Sequence, residues 1–264
     1  MDRRGFLQNF GLVGLTAAAS SAGTYWLTRP AKIPPRGIYV QMGTSITEIG
    51  SKTPIVVGSR LNLIPVNLGL HGACAGIYEG CNPSNSLCSL VDAIVSGDWS
   101  KQVQENTSFE PNMRAIARAK AVDFSNVTHL GLEYGPNDFT LCGPIGACDQ
   151  QKTTFKGALT YSLQKLSSAF PELRIFLIAP AWERNYEDLD ADLHPNKAGI
   201  FLREYVAALL DAAAVNRVPC LDLWSKMSTN IRNFRTFTHD GTHPTEAGAI
   251  RRGEMIAAFV NATF

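Results

Sequence analysis

The stretch Gly37-Ile38-Tyr39-Val40-Gln41-Met42-Gly43-Thr44-Ser45-Ile46 decides the fold. Gly37 to Gln41 is a short run rich in β-branched and aromatic side chains, the mark of a strand covered on both faces. It stops at Gly43-Thr44-Ser45, where a glycine permits a tight turn and a hydroxyl side chain suits a helix cap. Read alone, that turn needs nothing more than a serine cap to explain it. The same grammar recurs outward along the chain. Strand-like runs are expected at Leu63 to Asn67, Val127 to Tyr134, Leu173 to Ala179 and Arg217 to Leu223. Helical patterns are clearest at Thr153 to Phe170, Asn196 to Ala214 and Thr245 to Val260. Alternation of this kind predicts an α/β domain around a mostly parallel sheet.

Composition limits the function classes. A chain of 264 residues with 45% hydrophobic side chains can build one sizeable core, so a single domain over 36–264 is expected. Its 24 Lys and Arg against 23 Asp and Glu lack the basic surplus that a nucleic-acid partner requires. Residues 1–35 read differently. Asp2-Arg3-Arg4-Gly5-Phe6-Leu7-Gln8 is a charged n-region followed by a Gly- and Ala-rich apolar run, and it resembles a twin-arginine export signal. The apolar character continues through Leu27, so an N-terminal membrane anchor is the alternative. Either reading places the domain outside the cytoplasm, periplasmic or secreted, with the export machinery as a partner. Pro30, Pro34 and Pro35 form a stiff linker.

Six cysteines form an even set that an exported chain can oxidise. Cys142 and Cys148 flank a turn-rich loop and are the expected disulfide pair. Cys74, Cys81 and Cys88 share another long loop region, and Cys220 reads as a buried, reduced strand residue. None has the paired short spacing of a zinc site.

In open parallel sheets, ligands collect beyond the carboxyl ends of the strands. The polar motifs stand there: Gly43-Thr44-Ser45 after strand one, Gly69-Leu70-His71-Gly72 after strand two, and Gly135-Pro136-Asn137-Asp138 after strand three. Near the C-terminus, Asp240-Gly241-Thr242-His243-Pro244 sets a carboxylate three residues before an imidazole, in a turn entering a helix at Pro244. That spacing lets the carboxylate hold one ring nitrogen and leaves the other as a base.

These four segments, in this order, resemble the blocks of the SGNH (GDSL-type) hydrolases, a family of esterases and lipases. The resemblance covers Arg36 to Phe264. It implies a flavodoxin-like three-layer α/β/α sandwich with a central five-stranded parallel sheet. It also implies Ser45 as nucleophile, Asp240 and His243 as the rest of a triad, and Ser45, Gly72 and Asn137 as oxyanion donors. No metal or organic cofactor is implied. The implied reaction is acyl transfer from an ester to water through an acyl-serine. Transfer to another alcohol uses the same triad, and a non-catalytic envelope binding module on this fold is the alternative from another class.

The chain departs from the family pattern at two positions. Thr44 replaces the usual Asp before the serine, which bears on oxyanion geometry, and His71 replaces a small residue, where it either lines the pocket or packs. His194-Pro195-Asn196-Lys197-Ala198-Gly199 nearly copies the segment at His243, but Ala191 stands where the carboxylate belongs. His194 is therefore read as a helix-entry residue, His129 as a satisfied core histidine and His239 as a loop residue. Glu133, in an apolar strand, needs a partner or a proton if buried, which suggests structural support. Trp99, Phe139, Trp182 and Tyr186 are candidates for contacting an acyl chain or sugar ring. Carbohydrate, lipid and small-alcohol esters all remain open as substrates.

Overall fold

The computed structural model describes residues 34–185 and 187–264. The export motif at Arg3 and Arg4, the anchor reading and Tyr186 lie outside these residues. Five strands, β1 (Ile38–Gly43), β2 (Ile64–Gly69), β3 (Val127–Glu133), β4 (Arg174–Ala179) and β5 (Cys220–Asp222), form one sheet in the order β2-β1-β3-β4-β5. Every neighbouring pair is parallel. The order reverses between β1 and β3, so the loops leaving β1, β2 and β3 open at one sheet edge.

Eleven helices are present among the described residues: α1 (Ser45–Ile49), α2 (Lys52–Leu61), α3 (Leu87–Ser96), α4 (Ser100–Glu105), α5 (Glu110–Ala121), α6 (Pro136–Thr140), α7 (Phe155–Ala169), α8 (Leu202–Val215), α9 (Leu223–Lys226), α10 (Phe234–Phe237) and α11 (Glu246–Thr263). Period-two alternation along the strands distributes them. Val40 and Met42 of β1 with Leu130 and Leu132 of β3 face a core shared with α3, α5, α7 and α8. Tyr39, Phe176 and Ile178 face the opposite core, which includes Val57 of α2 with Ile256 and Val260 of α11. A sheet apolar on both faces must be covered on both, and three layers result.

Local chemistry moves several expected boundaries. The helix expected from Asn196 starts at Leu202, because the Asn196 side chain accepts from Ala198 N (3.0 Å) and Ile200 N (3.1 Å) and holds that segment as a turn. Helix α11 starts at Glu246 rather than Pro244, capped by Thr245 Oγ1 accepting from Gly248 N at 3.1 Å. Strand β5 is shorter than its apolar run. Arg217 sits in the left-handed region at φ 55°, and Asp222 already caps α9.

All six cysteines are thiols. The expected Cys142–Cys148 bridge is not formed. Pro144 O and Ile145 O are taken by Phe155 N (2.7 Å) and Lys156 N (2.9 Å), which spreads the intervening loop along the start of α7. Among the described residues, no helix is long and apolar enough to cross a membrane.

Candidate active site

Ser45 is the first residue of α1, but it is not the cap. That role falls to Thr44, whose Oγ1 accepts from Ile46 N at 3.2 Å. A threonine oxygen serves a cap as an aspartate oxygen would. Replacement of the carboxylate therefore leaves the turn geometry in place and the Ser45 hydroxyl free to face outward.

The Asp240 turn is built by its own side chain. Oδ1 accepts from Thr242 N (2.9 Å) and His243 N (2.8 Å), and Oδ2 lies 2.6 Å from His243 Nδ1. His239 N donates to His243 O at 2.8 Å and closes the turn. Loss of solvent raises the Asp240 carboxyl, but the His243 ring and the two backbone N–H groups outweigh it and hold it down at about 2. It stays anionic and fixes the ring. His243 Nε2 then reaches Ser45 Oγ at 2.9 Å. The two segments meet because the end of α1 abuts Pro244: a Cβ on Gly50 would lie 2.9 Å from Pro244 Cγ.

The glycines after β2 play different parts. Gly69 permits close approach, since a Cβ there would fall 2.4 Å from Glu48 N. Gly72 has φ 71° with nothing within 4 Å of its Cβ position, so its role is backbone conformation rather than packing. Asn137, at the start of α6, donates from Nδ2 to Ala73 O at 2.8 Å, which docks the β3 turn on the Gly72 loop. One amide hydrogen is used there and the other remains. Among the described residues, no protein acceptor takes the backbone N–H of Ser45 or Gly72. The Ser45 and Gly72 N–H groups and one Asn137 amide hydrogen thus keep donor capacity.

His71 packs at the rim. Its ring lies 3.0 Å from Glu48 Oε2 and edge-on to Phe109, and Asn112 holds its backbone through both side-chain atoms. Glu133 is buried and paired: Oε2 accepts from Gln41 Nε2 (2.9 Å) and Thr47 Oγ1 (3.1 Å), and Oε1 meets the Arg252 guanidinium. It joins α1, β1 and α11 beneath Ser45.

Of the other histidines, His194 is exposed, and His239 is exposed with its backbone in the turn. His129 is buried against Phe264, within reach of Thr128 and Arg174; burial, then the Arg174 charge, lowers it to about 4.

The expected substrate aromatics are corrected. Phe139 is fully buried against Tyr205, and Trp99 belongs to the same core. Trp182 is buried, bonded to Asp190 Oδ1 at 2.6 Å and tilted against Phe234. None of the three can meet a substrate without unpacking the core.

Two buried carboxyls behind the site escaped the sequence reading. Asp138 accepts from Ala75 N (2.8 Å), Gly135 N (3.1 Å) and the Tyr78 hydroxyl, and burial raises it to about 6 against those bonds. It ties the Asn137 turn to the loop after Gly72. Glu183, beside Asp240, is pushed up to about 8, by burial first and the Asp240 charge second. A one-dimensional pattern carries no signal for either, because each depends on what encloses it.

Residues 42–249 match the family model of the GDSL-like lipase/acylhydrolase family. No curated protein matches the chain. Solved structures share its fold. A possible lipase from Chitinophaga pinensis is 16% identical, covers 86% of this chain and 98% of its own, and superposes with a TM-score of 0.58. The M. smegmatis aryl esterase is 13% identical, with 86% and 100% covered and a TM-score of 0.56. A carbohydrate acetylesterase from Sinorhizobium meliloti is 14% identical, with 86% and 100% covered and a TM-score of 0.55.

Proposed function

Because the chain belongs to the GDSL-like lipase/acylhydrolase family, whose members are typically hydrolases, we propose that it is an exported serine esterase. It cleaves carboxylic esters, acyl or O-acetyl, of carbohydrates, lipids or small alcohols. The observation that carries this reading is the continuous contact Asp240 to His243 to Ser45. Export rests on the Arg3-Arg4 motif and the apolar run behind it.

In the proposed reaction, Ser45 Oγ attacks the ester carbonyl carbon while His243 Nε2 takes its proton. Asp240 holds Nδ1–H and stabilises the imidazolium. The carbonyl oxygen, now anionic, accepts from Ser45 N, Gly72 N and Asn137 Nδ2. The intermediate collapses, the carbon–alkoxide bond breaks, and His243 returns the proton to the departing alcohol. Water then attacks the acyl-serine by the same route and regenerates Ser45.

A panel of p-nitrophenyl esters, acetylated sugars and phospholipids tests the reading, with Ser45→Ala as control and with and without an acceptor sugar. Expected are hydrolysis of a carboxylic ester by the wild type and none by the variant, which retains its circular dichroism spectrum. Turnover that survives Ser45→Ala refutes the mechanism. Products carrying the acyl group on the acceptor reassign the protein as a transferase.

A further inference from the structure

We propose that His71, Glu48 and Phe109 form a subsite for the alcohol part of the ester, and that this alcohol is a polyol of the sugar class. The proposal deepens the esterase reading and rests on it for the reaction, though not for binding of the alcohol.

The three side chains meet from three segments beside the site. Glu48 stands on α1 about one turn after Ser45, on the same side of the helix. The end of β2 brings His71 against it: a Cβ on Gly69 would fall 2.8 Å from Thr44 O and 2.4 Å from Glu48 N, so glycine is what lets the strand end this close. His71 directly precedes Gly72, and nothing lies within 4 Å of the Gly72 Cβ position, which leaves room over that backbone. Phe109, the residue before α5, meets the His71 ring edge-on with 5.1 Å between centroids, and it is 46% exposed. The other exposed phenylalanine among the described residues, Phe264, packs by His129 and Arg174, where β3 and β4 begin.

Hydrogen bonding fixes what such a subsite accepts. His71 Nε2 lies 3.0 Å from Glu48 Oε2. A carboxylate can only accept, so Nε2 carries the proton and Nδ1 of the neutral ring is an acceptor. Among the described residues, no protein group donates to His71 Nδ1 or to Glu48 Oε1. The two side chains are partly open, at 26% and 20% exposed. The imidazole is also held in place. Asn112 Oδ1 accepts from His71 N at 2.8 Å and Asn112 Nδ2 donates to His71 O at 3.3 Å, while Glu48 and Phe109 fix the ring. Two fixed acceptors beside an exposed phenyl ring suit a ligand that carries hydroxyl donors on one side and C–H groups on another. A sugar ring has both. An alkyl chain laid there would strip water from both acceptors and return no hydrogen bond.

The test uses the full-length protein and compares mono-O-acetylated methyl glucoside, galactoside and xyloside with cyclohexyl acetate, a ring ester without hydroxyls. At least one sugar ester should exceed cyclohexyl acetate in kcat/KM by about 10-fold or more, because the hydroxyl-free ester leaves fixed acceptors unpaired. His71→Ala and Phe109→Ala, each checked for folding by circular dichroism, should collapse that ratio toward unity, chiefly through KM. His71→Phe keeps the ring packing and removes the acceptor, so it serves if the alanine variant unfolds. His194→Ala should preserve the ratio. A second arm reads binding of the same glycosides to Ser45→Ala by saturation-transfer NMR, with and without His71→Phe. Sugar binding that depends on His71, with no ester turnover by the wild type, supports the subsite and sinks the esterase reading alone. Ester turnover without a sugar preference, or a preference that survives both the His71 and Phe109 substitutions, overturns the subsite and leaves the esterase standing. So does p-nitrophenyl decanoate outrunning every sugar ester through the same two residues, which would assign the site to an acyl chain. Absence of both turnover and sugar binding overturns both.

Discussion

Ser45 Oγ and His243 Nε2 stand 2.9 Å apart although 198 residues separate them in sequence. The pairing is made by the sheet and not by either motif: β1 delivers Ser45 to the carboxyl edge, and Pro244 against Gly50 brings the imidazole onto it. Asp240 completes the line from within its own turn.

The choice of histidine can be checked directly. His243→Ala should lower kcat/KM for p-nitrophenyl acetate by roughly 10⁴-fold or more. His194→Ala should leave it within assay error, because the side chain is exposed and lacks a carboxylate three residues before it. The opposite result would reassign the base.

Asn137→Ala removes the bond to Ala73 O and, in the proposed mechanism, one oxyanion donor. We expect kcat to fall about 100-fold with KM little changed, since the donor acts on charge that develops in the transition state. A urea melt should show a loss of about 1 kcal/mol. A rise in KM at constant kcat would instead make Asn137 a substrate-binding residue.

The buried pair of Glu133 and Arg252 supports α1, which carries Ser45, through Thr47. Arg252 is lowered to about 10 by burial, so it remains charged at neutral pH. Glu133→Gln strands that charge and should cost about 3–5 kcal/mol in urea unfolding. Adding Arg252→Met should recover most of the loss. An additive double variant would show that the two side chains are not coupled.

Glu183 makes stability depend on pH. Its ordinary value is 4.5 and its folded value is about 8, so the folded protein holds a proton that the unfolded chain releases between these limits. The stabilisation is fully present below pH 4.5, declines by roughly 1.4 kcal/mol per pH unit, and is gone above about pH 8. Glu183→Gln should remove that slope from chemical denaturation curves collected across the window. An unchanged slope would assign the pH dependence elsewhere.

Hydrophobic periodicity made the sheet legible, because strand and helix patterns are local and the central strands β1, β3 and β4 are buried on both faces. β1 to β4 lie within two residues of their expected limits, whereas the Asn196 side chain delays α8 and Asp222 truncates β5. The Asp240–His243 contact was equally legible, since it is made within a single turn. Cysteine pairing was not. Flanking a loop suggested Cys142 with Cys148, but backbone bonds to α7 spread that loop, and all six cysteines are thiols.

From the sequence alone follow the α/β class, the succession of strands along the chain with polar motifs just past the first three, and the carboxylate–imidazole turn. All of these depend on residues within a few positions of one another. Only the tertiary structure decided that Thr44 rather than Ser45 caps α1, that Trp99, Phe139 and Trp182 are sealed in the core, and that Glu183 and Asp138 are buried behind the site. Burial and its effect on charge are set by every element packed around a group, and no short stretch of chain contains that information.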